Sequence, residues 1–435
     1  MTLPILPAEE SRTSSSSRPK LHTPSLIQFV LSLVALIFTW GIAFLMALTG
    51  LFQRFASSGA PLDALPFLLT SAGAVLIGFL LLLSVVYSWR GMNRDLSRRA
   101  VRLDGWLLPL LAILLLPLAM LLGNWLTGQD QLAWLLLPPL HILAIGLPIV
   151  LLVYLGIRKI PVGSSQRLWG LFASGSFLAP ALIFAVEIMG IITLIIGGAI
   201  WLSTQPELLA ELRSLADKLQ QLDSNPELIQ GLISPYLTRP GLVIVAFAFT
   251  ALFVPLVEEL LKPIGVWFLA GASLTPAAGF AAGVLCGAGY ALFESLGLAN
   301  SGDLWAGLVI ARMGTASVHI FTTALSGWAL AIAWKQNRYL LLGVIYLFNV
   351  LLHGIWNAFT LTVVISSLPR VGNVYLRIAR FGEIAPYILV GLTLLTCAGL
   401  LVMNHRLSPH PTQEDALETS GIILPASKET DGPDI

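Results

Sequence analysis

The chain predicts an all-α fold: a polytopic membrane helix bundle of about ten transmembrane helices with a short extracytoplasmic helical insertion. Three observations carry that expectation. Hydrophobic residues make up 56% of the 435 positions and charged residues 11%, against about 25% charged in ordinary soluble domains, and the mean hydropathy is +0.85. Apolar runs recur at the length a helix needs to cross a hydrocarbon core, roughly 20 residues. The one sizeable polar stretch between them, 203–239, carries leucines at helical spacing. Cys286 and Cys397 both fall inside apolar runs, which argues against a disulfide framework. The lipid bilayer is therefore a partner, and no nucleic-acid partner is expected.

Residues 1–24 are polar and Ser-rich and are expected to form a disordered cytoplasmic tail, with no cleavable signal peptide. Residues 25–202 hold five spans, near 26–52, 65–89, 105–126, 133–157 and 168–202. The fifth is too long for a straight crossing, so it must tilt, bend or protrude, with Pro180 and Gly190 as bend points. Residues 203–239 are the insertion. Leu208, Leu212, Leu215, Leu219 and Leu222 recur every three to four residues with charges between them, an amphipathic helix. Ser224-Asn225-Pro226-Glu227 starts a second helix. The pair is expected as a hairpin on the membrane surface or over a cavity mouth, or else as a solvated connector. Residues 240–366 hold spans near 241–270, 277–298, 304–334 and 339–366; 367–404 is a loop and a tenth span near 384–403; 405–435 is a second disordered tail.

Lys and Arg in short loops set the orientation. Arg90, Arg94, Arg98, Arg99 and Arg102 share one loop, Arg158, Lys159 and Arg167 another, Lys335 and Arg338 a third. With ten spans these loops and the N-terminal tail, with Arg12, Arg18 and Lys20, lie on one side, so both termini are expected inside a multi-pass protein. The loop with Arg370, Arg377 and Arg380 falls on the other side and dissents.

The chemistry is unevenly spread. Spans one to four are almost wholly Leu, Ile, Val and Ala, with His141 as the one ionisable residue in mid-span, and span five adds Glu187. Each of these suits a hydrogen-bonded packing role better than a ligand role. The sixth span carries Glu258, Glu259 and Lys262, the lysine within reach of either carboxylate at i, i+3 and i, i+4. A charge at the bilayer centre costs about 2.5–3.5 kcal/mol on insertion scales. One Glu–Lys pair near an interface would be unremarkable there, with the lysine snorkelling; a second carboxylate is left unexplained by it. The seventh span repeats Gly279, Gly283 and Gly287, a small face for close helix approach, and places Glu294 near that face. The eighth has Arg312 and His319 two turns apart, and the ninth has Asn349, His353 and Asn357 at i, i+4, i+8. Asn and His can be helix–helix glue. Three carboxylates and two histidines on four consecutive spans, however, make a proton-transfer or metal-binding constellation.

In this order the motifs resemble a family. Glu-Glu-Leu-Leu-Lys at 258–262 fits EExxK, Tyr290–Glu294 fits aromatic-xxx-Glu, Arg312 and His319 follow, and His353-Gly-Ile-Trp-Asn357 fits HxxxN. The set is similar to the PrsW family of bacterial intramembrane proteases, related to the CAAX-processing and bacteriocin-processing membrane proteases, over about residues 245–360. Basic residue spacing in EExxK, and Glu294 where CAAX-type proteins carry a histidine, both point to the PrsW branch. The resemblance implies an intramembrane endopeptidase in a bacterial cytoplasmic membrane, acting on a membrane-protein substrate, in the family's manner a single-span protein such as an anti-sigma factor.

Hydrolysis needs an activated water, an acid for the leaving amine and oxyanion stabilisation. The expected catalytic set is Glu258, Glu259, Glu294, His319 and His353. Glu259 is expected as the base because Glu258 suits the i, i+4 pair with Lys262, although the two could exchange roles. Glu294 would be a second carboxylate, and the histidines would orient water or the oxyanion, with Lys262, Arg312 and Asn357 supporting. A metal version draws on Glu259, Glu294, His319 and His353 as ligands to Zn²⁺. No HExxH spacing is present, and the sequence leaves the glutamic and metal-dependent versions open, with the glutamic one preferred. The alternative is an ion- or proton-coupled transporter using the same residues. Transporters often repeat their broken helices in both halves, and no counterpart of Glu258-Glu259 or of HxxxN occurs in the first half.

Overall fold

A computed structural model of the protein describes residues 22–56, 64–93, 101–103, 105–221, 226–237, 239–297, 304–366 and 372–409. Among these residues there are helices and no strands, and ten helices are long and apolar enough to cross a membrane. The chain is thus an all-α, multi-pass bundle. The tails at 1–21 and 410–435, the loop arginines 94, 98, 99 and 370, and Ser224-Asn225 lie outside the described residues.

Helices α1 (Thr23–Ala56) and α2 (Leu65–Asn93) pack along their lengths, followed by α3 (Leu107–Leu126) and α4 (Asp130–Ile157). Side chains along α1 and α3 are largely exposed, as suits faces turned to lipid rather than to a core. His141 of α4 accepts from Trp305 Nε1 at 3.2 Å. It is therefore a packing residue that ties α4 to the centre of the bundle.

The long fifth span is Ser165–Ser203. It starts at Ser164, whose hydroxyl accepts from the Arg167 amide, an N-cap that satisfies one otherwise free donor. It comprises α5 (Ser165–Ala173), a π-turn at Ser174–Leu178 and α6 (Ala179–Ser203). The irregularity expected at Pro180 or Gly190 thus falls just before Pro180. Proline lacks an N–H and its ring crowds the carbonyl four residues back, and a π-turn widens the helix there. The sixth span repeats the device: α9 (Pro240–Ala248), a π-turn at Phe249–Phe253 and α10 (Val254–Leu261), with Pro255 immediately after the turn. A short α11 (Ile264–Trp267) follows.

Between these spans the polar insertion forms two helices, α7 (Pro206–Gln221) and α8 (Pro226–Leu237). No residue of α7 is buried, and Leu208, Leu209, Leu212, Leu215 and Leu219 are its half-buried positions; all but Leu209 lie on the stripe that the spacing predicts, whose last leucine, Leu222, lies outside the described residues. Arg239 grips Glu211 through both carboxylate oxygens at 2.9 and 2.8 Å, and the Tyr236 hydroxyl donates to the same group at 3.0 Å. This clamp fastens α7 to the start of α9.

The centre of the bundle is α12 (Pro276–Gly297) against α13 (Trp305–Gln336), with α14 (Tyr339–Ser366) and α15 (Gly372–Leu407) beside them. Helix α15 runs to Leu407. Glycine permits the central contact. A Cβ at Gly279 would lie 2.4 Å from the Gly327 carbonyl oxygen, one at Gly327 2.3 Å from that of Gly279, and one at Gly283 2.3 Å from that of Thr323. Backbone therefore touches backbone, as small-residue faces allow. Gly287 continues this seam beside the His319 carbonyl.

Candidate active site

Four helices each bring one part of the site. From α10, Glu258 and Glu259 point inward and both are buried, with Lys262 one turn on and fully buried. The Lys262 ammonium donates to Glu259 Oε1 at 2.5 Å and to His319 Nδ1 at 3.0 Å, and lies 3.7 Å from Glu258 Oε2. It also stands 5.5 Å from the centre of the Tyr290 ring, a cation–π contact. An ammonium has only donors, so His319 Nδ1 accepts and the ring proton sits on Nε2. That Nε2 donates to Glu294 Oε2 at 2.6 Å, and Arg312 holds the other oxygen of Glu294 at 2.8 Å.

Helix α14 shows how its polar stripe divides the work. Asn349 donates to the Thr322 carbonyl at 2.8 Å and to Ser326 Oγ at 3.0 Å. Asn357 donates to the Thr250 carbonyl at 2.8 Å, inside the π-turn that precedes Pro255. The neighbouring Gly354 lets α14 come close to that turn: a Cβ there would lie 2.3 Å from the Ala251 oxygen. The two asparagines thus dock α14 on its neighbours. Between them His353 Nδ1 donates to Glu259 Oε1 at 2.9 Å.

The sequence-predicted residues Glu258, Glu259, Glu294, His319 and His353 therefore form one connected cluster, with Lys262 and Arg312 inside it. Asn357, expected as a supporting hydrogen-bond donor, gives its amide to the π-turn. The histidines, expected to stabilise the oxyanion or orient the water, hold their ring protons against Glu294 and Glu259. Thr322 went unassigned in the sequence, yet its hydroxyl donates to Glu259 Oε1 at 3.2 Å. The readable signal was its place three residues after His319, on the same helical face.

The donor atoms that converge belong to Glu258, His319 and His353, all within 4.8 Å of one another. Glu258 Oε2 is buried and has no hydrogen-bond partner; His319 Nδ1 lies 4.0 Å from it and His353 Nε2 3.9 Å. Ligands of a tetrahedral Zn²⁺ with bonds of about 2.0–2.1 Å stand a little over 3 Å apart, so a small inward movement would bring these atoms onto one ion. Each histidine also gives its far nitrogen to a carboxylate, Glu294 for His319 and Glu259 for His353. That is the outer-shell arrangement which fixes tautomer and ring orientation in metal sites. The donor set fits a divalent metal. It differs from the set expected from sequence in using Glu258, while Glu259 and Glu294 stand behind the histidines. His319 Nδ1 has a single lone pair, so it serves either Lys262 or a metal at one time.

Residues 227–380 match the family model described as PrsW family intramembrane metalloprotease. The match covers about a third of the chain and extends beyond the expected 245–360 on both sides. No curated protein and no solved structure matches. The carboxylates, the histidines and their supporting residues all lie inside the segment that is similar to that family.

Proposed function

We propose that the protein is a metal-dependent intramembrane endopeptidase acting on single-span membrane proteins, with Glu258, His319 and His353 holding Zn²⁺. The observation that carries this reading is the unpaired Oε2 of Glu258 facing one nitrogen from each histidine, while both opposite ring nitrogens rest on carboxylates. When bound, the metal polarises the scissile carbonyl and acidifies water.

The chain's own residues do the rest. Glu259 Oε1 receives donors from Lys262, His353 and Thr322, a set suited to an anion. Its Oε2 is buried with no partner and is the oxygen that takes a proton from water and returns it to the leaving amine. Lys262 balances Glu259, and Arg312 balances Glu294, so each outer carboxylate is neutralised where unpaired charge is costly. Helices α12 and α13 exclude lipid and water from one side of the cluster through their glycine contact.

The test is metal content and hydrolysis on the same preparation in lipid nanodiscs. The expected result is stoichiometric Zn²⁺, activity lost on chelation and regained on adding Zn²⁺, and loss of the metal in Glu258→Gln. Full activity after exhaustive chelation would return the reaction to the two glutamates alone.

A further inference from the structure

One carboxylate near the cluster has no part in this scheme. Ile183 and Ala179 of α6 pack on Tyr290 of α12, and the Phe184 ring lies 5.7 Å from that of Phe293. One helical turn beyond Ile183 and Tyr290 come Glu187 and Glu294, so the shared register sets Glu187 beside the site. Helix α6 also packs on α10, which carries Glu258. Glu187 Oε1 is buried without a hydrogen-bond partner, and among the described residues no cation forms an ion pair with Glu187. It lies outside the matched segment 227–380. A second group nearby is in the complementary condition. Arg312 is 8% exposed and reaches Glu294 through Nη2, and its Nε has no acceptor.

A peptide bond in a membrane helix has its N–H and C=O spent on helical hydrogen bonds. It can be cleaved only where the helix is locally unwound, and the groups freed there need partners because water is scarce. We propose that Glu187 is a substrate-binding residue whose free oxygen accepts a main-chain N–H of the unwound substrate segment, with Arg312 Nε offered to a freed carbonyl. This rests on the hydrolytic reading above. It explains why α6, which is otherwise apolar and exposed beyond this point, carries a carboxylate in mid-span.

The test reads binding apart from hydrolysis, in the Glu258→Gln protein in nanodiscs, by fluorescence anisotropy. The probes are a labelled Leu/Ala single-span peptide with a central Gly-Pro break and its unbroken Leu/Ala counterpart. The broken peptide is expected to bind about tenfold more tightly, the equivalent of one hydrogen bond to a charged group. Glu187→Leu removes that preference, Glu187→Gln restores it by keeping the acceptor oxygen, and unchanged melting temperatures show that both fold. The proposal is overturned if Glu187→Leu keeps the preference. It is equally overturned if Glu187→Gln loses as much as Glu187→Leu, or if only peptides with a lysine at the break are favoured, since the charge would then be reading a basic side chain. Wild-type protein that holds Zn²⁺ and binds broken peptides but hydrolyses none would sink the hydrolytic reading while leaving the binding result intact.

Discussion

The polar cluster where α1 meets α2 and α5 and the polar cluster on α10, α12, α13 and α14 differ in kind. Between α1, α2 and α5, Gln28 donates to Ser84 and to the Gln166 carbonyl, Gln166 donates to Ser25 and to Gln28 Oε1, and Ser32 pairs with Ser84. All these groups are neutral and none is left without a partner. The cluster on α10, α12, α13 and α14 is ionisable, and it leaves Glu258 Oε2, Glu259 Oε2 and Arg312 Nε unpaired. Neutral side chains that satisfy one another are helix–helix glue. Buried charged groups with an atom to spare are costly unless something else completes them. Several ionisable groups that converge with atoms to spare, rather than a single orphaned atom such as His141 Nε2, mark the second cluster as chemical.

Breaking the ionisable cluster has the largest expected effect. Glu259→Gln removes the proposed base and lowers kcat by about 10²–10⁴-fold, while the metal is still bound, its affinity weakened by at most about 10–100-fold because Glu259 stands behind His353. Glu258→Gln loses both activity and metal. A Glu259→Gln protein that lost its metal and a Glu258→Gln protein that kept it would exchange the two roles. Lys262→Met comes next. It strands Glu259 without its buried cation, and removing one partner of a buried pair costs about 3–5 kcal/mol, to be read as a fall in unfolding free energy in detergent titration. A near-neutral result would mean that Lys262 is not the group that stabilises Glu259.

The sequence made the ionisable cluster legible because charge in an apolar run is rare, so Glu258, Glu259, Lys262, Glu294, Arg312, His319 and His353 stood out singly, and their order on four spans joined them. Helical spans were equally legible from length alone. What periodicity could not assign is which oxygen and which nitrogen face inward. Glu258 and Glu259 are adjacent on one helix, and only the placement of α13 and α14 sets Glu258 between the histidines and Glu259 behind one of them. The π-turns were hidden for a related reason: proline marks a break but not the residue at which the helix widens. Asn357 reads as a hydrogen-bond donor from the sequence, and its acceptor is a backbone carbonyl that no side-chain pattern records.

Smaller effects test the scaffold that separates the clusters. Gly283→Ala sets a Cβ 2.3 Å from the Thr323 oxygen and 2.7 Å from Ala324 Cα. Backbone on both sides cannot yield like the end of a side chain, so overpacking costs about 1–3 kcal/mol in a thermal melt. Activity falls with it, since α12 carries Glu294 and α13 carries His319. Ser84→Ala, in the neutral cluster, removes the oxygen on which Gln28 and Ser32 converge and costs about 0.6 kcal/mol, the average for such bonds in membranes, and at most about 1.7 kcal/mol. Hydrolysis and metal content are unchanged. A Ser84→Ala protein that folded normally yet lost hydrolysis would erase the distinction between glue and chemistry.

The weakest coupling is the clamp outside the spans. Arg239 and Tyr236, both donating to Glu211, hold its carboxyl below the usual carboxylate range. A carboxyl depressed in the folded state stabilises that state at pH values above its unfolded pKa, and the contribution is lost as pH falls through the lowered folded value. The group is exposed and salt-screened, so the loss is local rather than global. A spin label at Ser214 on α7 should become more mobile as pH drops below the ordinary carboxylate range, and also in Arg239→Gln at neutral pH, while the melting temperature of the bundle holds. Equal mobility across that titration would mean that the leucine stripe of α7, and not the Glu211 clamp, seats the insertion.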